Sequence, residues 1–313
     1  RTGVVLPRSA LTAEGSTAWR EEVLTAGTFG RVDFLTNTRG WVFDEVHQQY
    51  SVALVSCIRD KSALLTFSGP HHSLREFEAR RDGFVSMATE EFRTWSSNLG
   101  FPLLPSAESG RVFRRLRNHP RFDAWGDYRA VAEFHATNDR PTFDAGERTA
   151  TSIPVYTGRS FDLWTHDTGQ YYAWADPRRV EAALQAKRLN QHRNKRTAFY
   201  GLPMPWVMDL ATLPMHRPRI AFRDVARSTD SRTVIPALIP AEVVVVIAAP
   251  WLFSAEQDSR HEAYLLGVLS SIPLDWYARR WVELHLNIHI LNGLPVPALA
   301  DSPLHDRVVE LSG

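Results

Sequence analysis

The sequence lacks most of the motifs that identify a catalytic or metal site. One cysteine, Cys57, excludes an intramolecular disulfide framework and a cysteine-rich zinc site, and is typical of a reducing compartment. No P-loop, GxGxxG motif or GxSxG elbow occurs. The three lysines, Lys61, Lys187 and Lys195, leave few places for a carboxylate–x–Lys nuclease site. We therefore predict no cofactor-binding residue in this chain.

Two histidines are the remaining candidate metal ligands. His285 and His289 have an i, i+4 spacing that suits a metal, with Glu283 nearby, but no HExxH frame surrounds them. A pair on a helix surface or in the core is the favoured interpretation, and no metal is predicted.

Long apolar runs are also missing. The longest, residues 243–253, is well short of the ~20 residues that span a bilayer, and no signal peptide opens the chain. We expect a cytoplasmic protein without a membrane partner. The first residues, RTGVVLP, resemble a buried strand. A chain that begins in such a strand is predicted to be part of a longer protein.

The chain divides into three regions by composition. Residues 1–70 alternate strand and helix patterns, with strands expected at 31–35 and 50–58 and a turn at Thr38-Arg39-Gly40. Residues 71–125 are charged and mostly helical in pattern. Residues 126–313 carry short aromatic and β-branched segments, then helical periodicity after Ser254. The fold class predicted is α/β followed by a mixed α+β region.

Charge of one sign does not dominate, since the net charge is only +1. Any basic surface must therefore be local. Three clusters stand out: 111–121 with five arginines and no acid, 178–196 with seven Lys/Arg against one Glu, and 219–232 with four arginines. Each alone suits a solvated face. Together, on a nearly neutral chain, they favour nucleic acid as a common partner.

Four segments resemble a known family. Two are GVVLPRSAL (3–11) and GWVFDEVHQQYSVALVS (40–56), which resemble the last third of an adenine-N6 DNA methyltransferase domain. PRIAFRDVARSTDSRTVIPALIP (218–240) and YLLGVLSSIPLDWYARRW…LNGLPVP (264–297) resemble target-recognition regions, the latter also type I specificity subunits. The similarity is to type IIG-like restriction–modification and phage-defence methylases. It spans nearly the whole chain.

The resemblance implies a fold, a cofactor and a partner. It implies the C-terminal end of a Rossmann-like methyltransferase sheet (1–70), a helical linker (71–125) and a target-recognition domain (126–313). The full-length enzyme would flip an adenine from double-stranded DNA and methylate it with S-adenosylmethionine. The Asn/Asp-Pro-Pro-aromatic motif and the cofactor loop are absent here, so the upstream catalytic portion would be required and this chain alone should not methylate.

The resemblance and the basic clusters together give a set of candidate site residues. Phe43 occupies the place of an aromatic that stacks on the flipped base. The alternative for Phe43 is an ordinary core aromatic at a strand edge. For DNA contact the candidates are Arg219, Arg223, Arg227, Ser228, Arg232, Thr233, Arg193, Lys195 and Arg196, because arginines bind phosphates and guanine edges and hydroxyls bind phosphates. We expect residues 223–233 to form a DNA-facing loop between two strands.

Two other functions fit the same sequence. A stand-alone DNA-specificity subunit would act with a separate catalytic subunit, although a strand-first start disfavours it. A small-molecule enzyme with an unrecognised site would leave the basic clusters as plain surface. Both DNA-binding functions predict an affinity for duplex DNA that falls steeply with rising salt, and the small-molecule enzyme does not.

Overall fold

The computed structural model describes residues 1–48, 50–61, 63–79, 83–125, 128–144, 148–256 and 258–312. The chain forms two compact units, Arg1–Asn118 and His119–Gly313. Within them lie several small sheets and short helices, so the fold is mixed α/β.

The first unit is built on one five-stranded sheet in the order β1-β3-β2-β4-β5. Its strands are β1 (Thr2–Pro7), β2 (Thr28–Thr36), β3 (Ser51–Ile58), β4 (Leu65–His71) and β5 (Val85–Met87). Its helices are α1 (Ser9–Thr12), α2 (Thr17–Ala26), α3 (Leu74–Ala79), α4 (Thr89–Arg93) and α5 (Ala107–Leu116). The strands and the turn expected around residues 31–58 are confirmed, and Arg39 and Gly40 in that turn have positive φ.

The first three strands and the two helices between β1 and β2 form an α/β arrangement. β3 runs antiparallel to both β1 and β2, so β1 and β2 are parallel to each other. Helices α1 and α2 lie in the connection between them, as a parallel pair requires. β2 also pairs in parallel with β4 on its other side.

β1 differs from its expected burial. The apolar run was predicted to be a buried strand, but β1 lies at the edge of the sheet, with Val4 38% and Val5 52% exposed. Consecutive strand residues point to opposite faces, so both faces of β1 are open. The prediction of burial was wrong because an apolar run reports β propensity, while burial depends on what packs over the strand.

Arg20 in α2 is a fully buried cation held by backbone carbonyls. Its guanidinium donates to the oxygens of Ala10 at 2.8 Å, Ala13 at 2.8 Å and Asn98 at 2.6 Å. Burial lowers the pKa of Arg20 to about 10, so the side chain is still protonated at neutral pH. The carbonyls come from the end of α1 and from the distant Asn98, so Arg20 cross-links two segments of this unit.

Arg20→Ala is expected to lower the free energy of unfolding by about 2–3 kcal/mol, because it leaves buried carbonyls without donors. Urea unfolding of the whole chain measures it. Arg59→Ala, which removes an exposed arginine, is the control and should change stability by less than about 0.5 kcal/mol. Equal small losses in both variants would show that Arg20 does not cross-link the unit.

The segment predicted as a helical linker contains more than helices. β5 pairs with β4 inside the sheet, and α5 ends before Arg121, which lies in the second unit. Residues 71–118 thus lie within the first unit. Residues 80–82, 126 and 127, including the predicted start of the third region, lie outside the described residues. The division into three functional domains stays a prediction.

The second unit contains two small sheets and most of the described helical residues. The four-stranded sheet has the order β10-β9-β12-β6 and the three-stranded sheet the order β11-β7-β8. The strands are β6 (Arg129–Val131), β7 (Ile153–Tyr156), β8 (Ala173–Ala175), β9 (Arg219–Phe222), β10 (Pro236–Ile239), β11 (Val244–Val245) and β12 (Trp251–Phe253). The helices are α6 (Pro177–His192), α7 (Met204–Met208), α8 (Ser259–Leu269), α9 (Ile272–Ala278), α10 (Ile288–Asn292) and α11 (Pro303–Ser312).

The two sheets share a core that includes one cluster important for the site. Tyr156, Phe161, Phe199, Ala221 and Trp251 belong to it, together with neighbouring apolar residues of β10, β11 and β12. These side chains come from strands of both sheets and from two loops. The loops rooted in this cluster are therefore fixed by the same buried contacts.

None of the described helices is long and apolar enough to cross a membrane.

Candidate nucleic-acid interface

Arg219 lies in the core. Its side chain is 2% exposed and pairs with the equally buried Glu133 at 2.6 Å. It also donates to the carbonyls of Pro214 at 2.9 Å and Val243 at 3.2 Å. The carboxylate of Glu133 accepts a second bond from the N–H of Val245 at 2.7 Å. A buried guanidinium whose two terminal nitrogens are bonded within the core does not reach DNA, so the assignment of Arg219 to the DNA surface was wrong.

Arg223 binds the backbone of the loop between β7 and β8. Its Nε donates to the carbonyl of Gly158 at 2.6 Å and a terminal nitrogen donates to that of Phe161 at 2.9 Å. Asp162 lies 3.6 Å from the same guanidinium. The side chain is directed into the protein, so it is not a free DNA contact in this conformation. We assign Arg223 a positioning role instead.

Arg232, Thr233 and Ser228 are held by α9 and the residues at its two ends. Asp275 is buried and accepts the N–H groups of Thr233 at 2.7 Å and Val234 at 2.8 Å. Arg232 donates to the carbonyl of Ser270 at 2.6 Å.

Arg279, at the C-terminal end of α9, also binds the turn formed by residues 228–231. Arg279 bonds the oxygen of Ser228 at 2.8 Å and that of Ser231 at 2.7 Å, and its Nε binds Asp275 at 2.7 Å. Thr233 is fully buried, and its hydroxyl donates to the carbonyl of Arg227. Residues 223–233 do connect β9 and β10, as expected, but most of the loop packs onto α9. The assignment of Arg232 and Thr233 to a DNA-facing surface was wrong.

Arg227 is the exception in this loop. It is exposed, and among the described residues no carboxylate lies within ion-pair distance of its side chain. Its backbone N–H is held by Asp230 at 2.9 Å. Arg227 therefore stays a candidate for DNA contact.

The second cluster presents its cations to solvent. Arg193, Lys195 and Arg196 are all exposed, and no described carboxylate pairs with them. They follow the end of α6 in a turn that Thr197 closes by donating to the carbonyl of Gln191 at 2.7 Å. Three unpaired cations within four residues repel one another, so an anionic partner would stabilise them.

Buried and paired residues before and after the three cations fix this turn to the protein. In α6, Arg188 is buried, and Lys187 pairs with Asp139 at 2.7 Å. Phe199 is buried in the shared core cluster, while Tyr200 is 49% exposed beside the cations. The composition of 178–196 thus combines structural cations in the helix with free cations in the turn. We call residues 193–200 the basic turn.

The third cluster is largely paired within the protein. Arg114 binds Glu91 at 2.7 Å, Arg121 binds Asp123 at 2.7 Å, and Arg111 pairs with Glu108. Arg117 donates to the carbonyl of Thr94 at 2.5 Å. The interpretation as a structural surface suits these residues better than a DNA-binding helix.

Phe43 lies in the segment between β2 and β3 and is 42% exposed. The amide of Asn37 fixes it from both sides, since its oxygen accepts the N–H of Phe43 at 2.9 Å and its nitrogen donates to the carbonyl of Phe43 at 2.9 Å. Residues 44–48 with Arg39 and Gly40 line an adjacent cleft of about 530 Å³. Phe43 is therefore not a core aromatic. Its stacking on a flipped base stays a prediction.

The candidate metal pair is not assembled on one helix. His285 precedes α10 and its Nδ1 lies 2.7 Å from the carboxylate of Asp224, while His289 lies within α10. In the part of the chain that is described, no group of three or more His, Cys, Asp or Glu side chains is placed to hold a metal ion.

Two acids that bind arginines within the protein were not predicted from the sequence. Glu133 pairs with Arg219, and Asp275 pairs with Arg232 and Arg279. Glu133 is 86 residues from Arg219, and no local pattern connects them. Asp275 and Arg279 have the i, i+4 spacing of an ion pair on a helix, which was a usable signal.

Comparison with known proteins gives distant structural matches only. No family model matches the chain, and no curated protein does. The type IIG restriction endonuclease BpuSI is 15% identical, aligned over 99% of this chain and 42% of its own with a TM-score of 0.39. The type IIL restriction-modification enzyme MmeI, solved in complex with DNA, is 11% identical over 94% and 37%, with a TM-score of 0.41. The chain spans less than half the length of either protein, and matches of this strength assign no function to its residues.

Proposed function

We propose that the second unit binds double-stranded DNA as the target-recognition part of an adenine-N6 DNA methyltransferase of the type IIG-like restriction–modification or phage-defence family. One observation carries the proposal. The basic turn presents three exposed cations that have no ion-pair partner among the described residues, on a chain whose net charge is only +1. The sequence resemblance of residues 218–240 and 264–297 to target-recognition regions supplies the family.

The physical case rests on what an unpaired cation cluster can bind. A duplex carries one negative charge per about 1.7 Å of its axis, so three cations within four residues can each neutralise a phosphate. Arg193 also complements the C-terminal dipole of α6, but Lys195 and Arg196 lie beyond the helix. Tyr200 adds an exposed ring and a hydroxyl beside them. Phosphate contacts of this kind position a protein on DNA without reading its sequence.

The first unit supports the catalytic half of the proposal. Its parallel β1 and β2 with helices between them, joined by the antiparallel β3, suit the end of a Rossmann-like sheet. Val4 and Val5 leave β1 open on both faces, which suits an edge covered by the upstream catalytic portion. Phe43 beside the cleft is the residue proposed to stack on a flipped adenine.

S-adenosylmethionine does not fit the residues of this chain. The Gly-containing cofactor loop and the Asn/Asp-Pro-Pro-aromatic motif are both missing from the sequence. We therefore assign no residue here to the cofactor, which the full-length enzyme would bind upstream, and expect no methylation by this chain alone.

The test removes the charge of the basic turn. In the variant R193Q/K195Q/R196Q, log Kobs for a duplex plotted against log salt should become shallower by about three, one for each lost phosphate contact. Fluorescence anisotropy with a labelled duplex at four salt concentrations measures the slope.

The control removes three other exposed arginines, as R111Q/R115Q/R307Q. Both variants change the net charge from +1 (36 − 35) to −2 (33 − 35), so a general charge effect would alter both equally. A loss confined to the basic turn supports the proposal. Equal slopes in the two variants, or no binding by the unmodified chain, would refute it.

A further inference from the structure

A loop of the second unit exposes a tryptophan in an unusual backbone conformation. Residues 157–172, which we call the Trp164 loop, connect β7 to β8. Trp164 is 57% exposed, with the exposed Thr165 and His166 after it and the exposed Arg159 before it. Single exposed apolar side chains are common on protein surfaces, but tryptophan is enriched among the residues that contribute most of the binding energy at interfaces.

The backbone at Trp164 is held away from its preferred conformation. Its φ is +62°, in the left-handed region that bulky side chains rarely adopt. Asp162 and Thr165 fix this turn by exchanging two backbone hydrogen bonds, at 2.9 Å and 2.8 Å. Conformations of this kind persist where the surrounding structure enforces them, and they concentrate at functional sites.

The base of the loop is rigid. Phe161 is fully buried, and the hydroxyl of Ser160 donates to the carbonyl of Gln170 at 2.5 Å, which ties the two arms together. Arg223 bonds the carbonyls of Gly158 and Phe161. A Cβ at Gly158 would lie 2.9 Å from both the Cγ of Arg223 and the carbonyl oxygen of Ala248, so glycine allows this close approach.

The Trp164 loop and the basic turn are anchored in the same buried cluster. Phe161 of the loop and Phe199 of the basic turn are members of the same buried cluster. The exposed cations and the exposed indole are therefore anchored in one piece of core, beside β9. DNA offers a chemical partner to each of them, phosphates for the cations and flat base faces for the indole.

We propose that the Trp164 loop reads the DNA, that Trp164 contacts the bases directly, and that Arg223 is a positioning residue for it. The proposal rests on the proposed function of DNA binding and adds the element that provides sequence preference. An apolar side chain at the tip of a rigid loop can insert at a base step or stack on an extruded base. The arginine predicted from sequence to touch DNA acts here through the loop it holds.

The experiment uses a pool of duplexes with a randomised segment, because the recognised sequence is unknown. The bound fraction is sequenced for the unmodified chain, Trp164→Gly and Trp164→Phe. Glycine suits the left-handed backbone, so Trp164→Gly should fold while lacking the ring. Leu304→Ala, which removes an exposed apolar side chain on α11, is the control.

We expect Trp164→Gly to lose the enriched sequence and to bind it about ten- to a hundredfold more weakly, the range for loss of one base–aromatic stack. Its salt slope should stay unchanged, and its affinity for the unselected pool should fall less than its affinity for the enriched sequence, because stacking on an aromatic ring tolerates every base to some degree. Trp164→Phe should retain most of the preference, and Leu304→Ala all of it. Arg223→Lys should weaken the enrichment with the same salt slope, which a merely structural change would not do selectively.

Three results would overturn the inference. If Trp164→Gly enriches the same sequence with the same affinity, the loop does not read DNA, although the proposed function stands. If the unmodified chain binds the pool but enriches no sequence, the loop provides no preference. If the unmodified chain binds no duplex, the proposed function fails and this inference fails with it.

Discussion

Arg219→Ala is expected to destabilise the second unit by about 3–5 kcal/mol, the cost of breaking a buried ion pair by removing one partner. The carboxylate of Glu133, 2.6 Å from Arg219 and 2% exposed, would be left buried without its counter-charge. The carbonyls of Pro214 and Val243 would also lose a donor. Urea denaturation followed by circular dichroism measures the loss.

The matched control is Arg227→Ala, eight positions along the same segment. Arg227 is exposed and unpaired among the described residues, so its loss should change stability by less than about 0.5 kcal/mol. Its effect should instead fall on duplex affinity. If Arg219→Ala were as stable as Arg227→Ala and bound DNA more weakly, the original assignment of Arg219 to the DNA surface would be restored.

Asp275→Ala should cost a comparable amount, about 3–5 kcal/mol. Asp275 accepts two buried N–H groups, from Thr233 and Val234, and its second oxygen binds the Nε of Arg279 at 2.7 Å. Each unsatisfied buried donor costs about 1–3 kcal/mol, and the guanidinium of Arg279 would lose its counter-charge as well. The same denaturation experiment measures it, and hydrogen exchange at residues 233 and 234 should accelerate.

The control for this second variant is Asp230→Ala, which lies in the same loop. Asp230 is exposed and accepts one backbone bond, from Arg227 at 2.9 Å, so its removal should cost about 1 kcal/mol or less. Similar losses of unfolding free energy for Asp230→Ala and Asp275→Ala would contradict the conclusion that Asp275 of α9 fixes this loop.

Much of the local structure could be predicted from the sequence. The strands at 219–222 and 234–239 and the helices after Ser254 appear close to where apolar periodicity places them. The turn at Thr38-Arg39-Gly40 follows from Gly40, which adopts positive φ without strain, whereas the positive φ of Arg39 could not be predicted from its residue type. These features depend on near neighbours in the chain, which is the information that a pattern contains.

The role of each arginine could not be predicted in the same way. Arg219, Arg223, Arg227 and Arg232 have similar spacing, yet one is buried, two hold backbone carbonyls and one is free. The difference lies in partners from distant segments, such as Glu133 and Gly158. Trp164 was missed because nothing local reveals that its backbone is left-handed or that its ring is exposed.

The most direct test of the central claim is the salt dependence of duplex binding by the unmodified chain. Four candidates are exposed and have no ion-pair partner in the described part of the chain: Arg193, Lys195, Arg196 and Arg227. We therefore expect log Kobs to fall linearly with log salt with a slope of about −3 to −4. That result would place phosphates against the second unit's free cations. A slope near zero, or no detectable binding at low salt, would contradict the account and leave the basic turn as plain solvated surface.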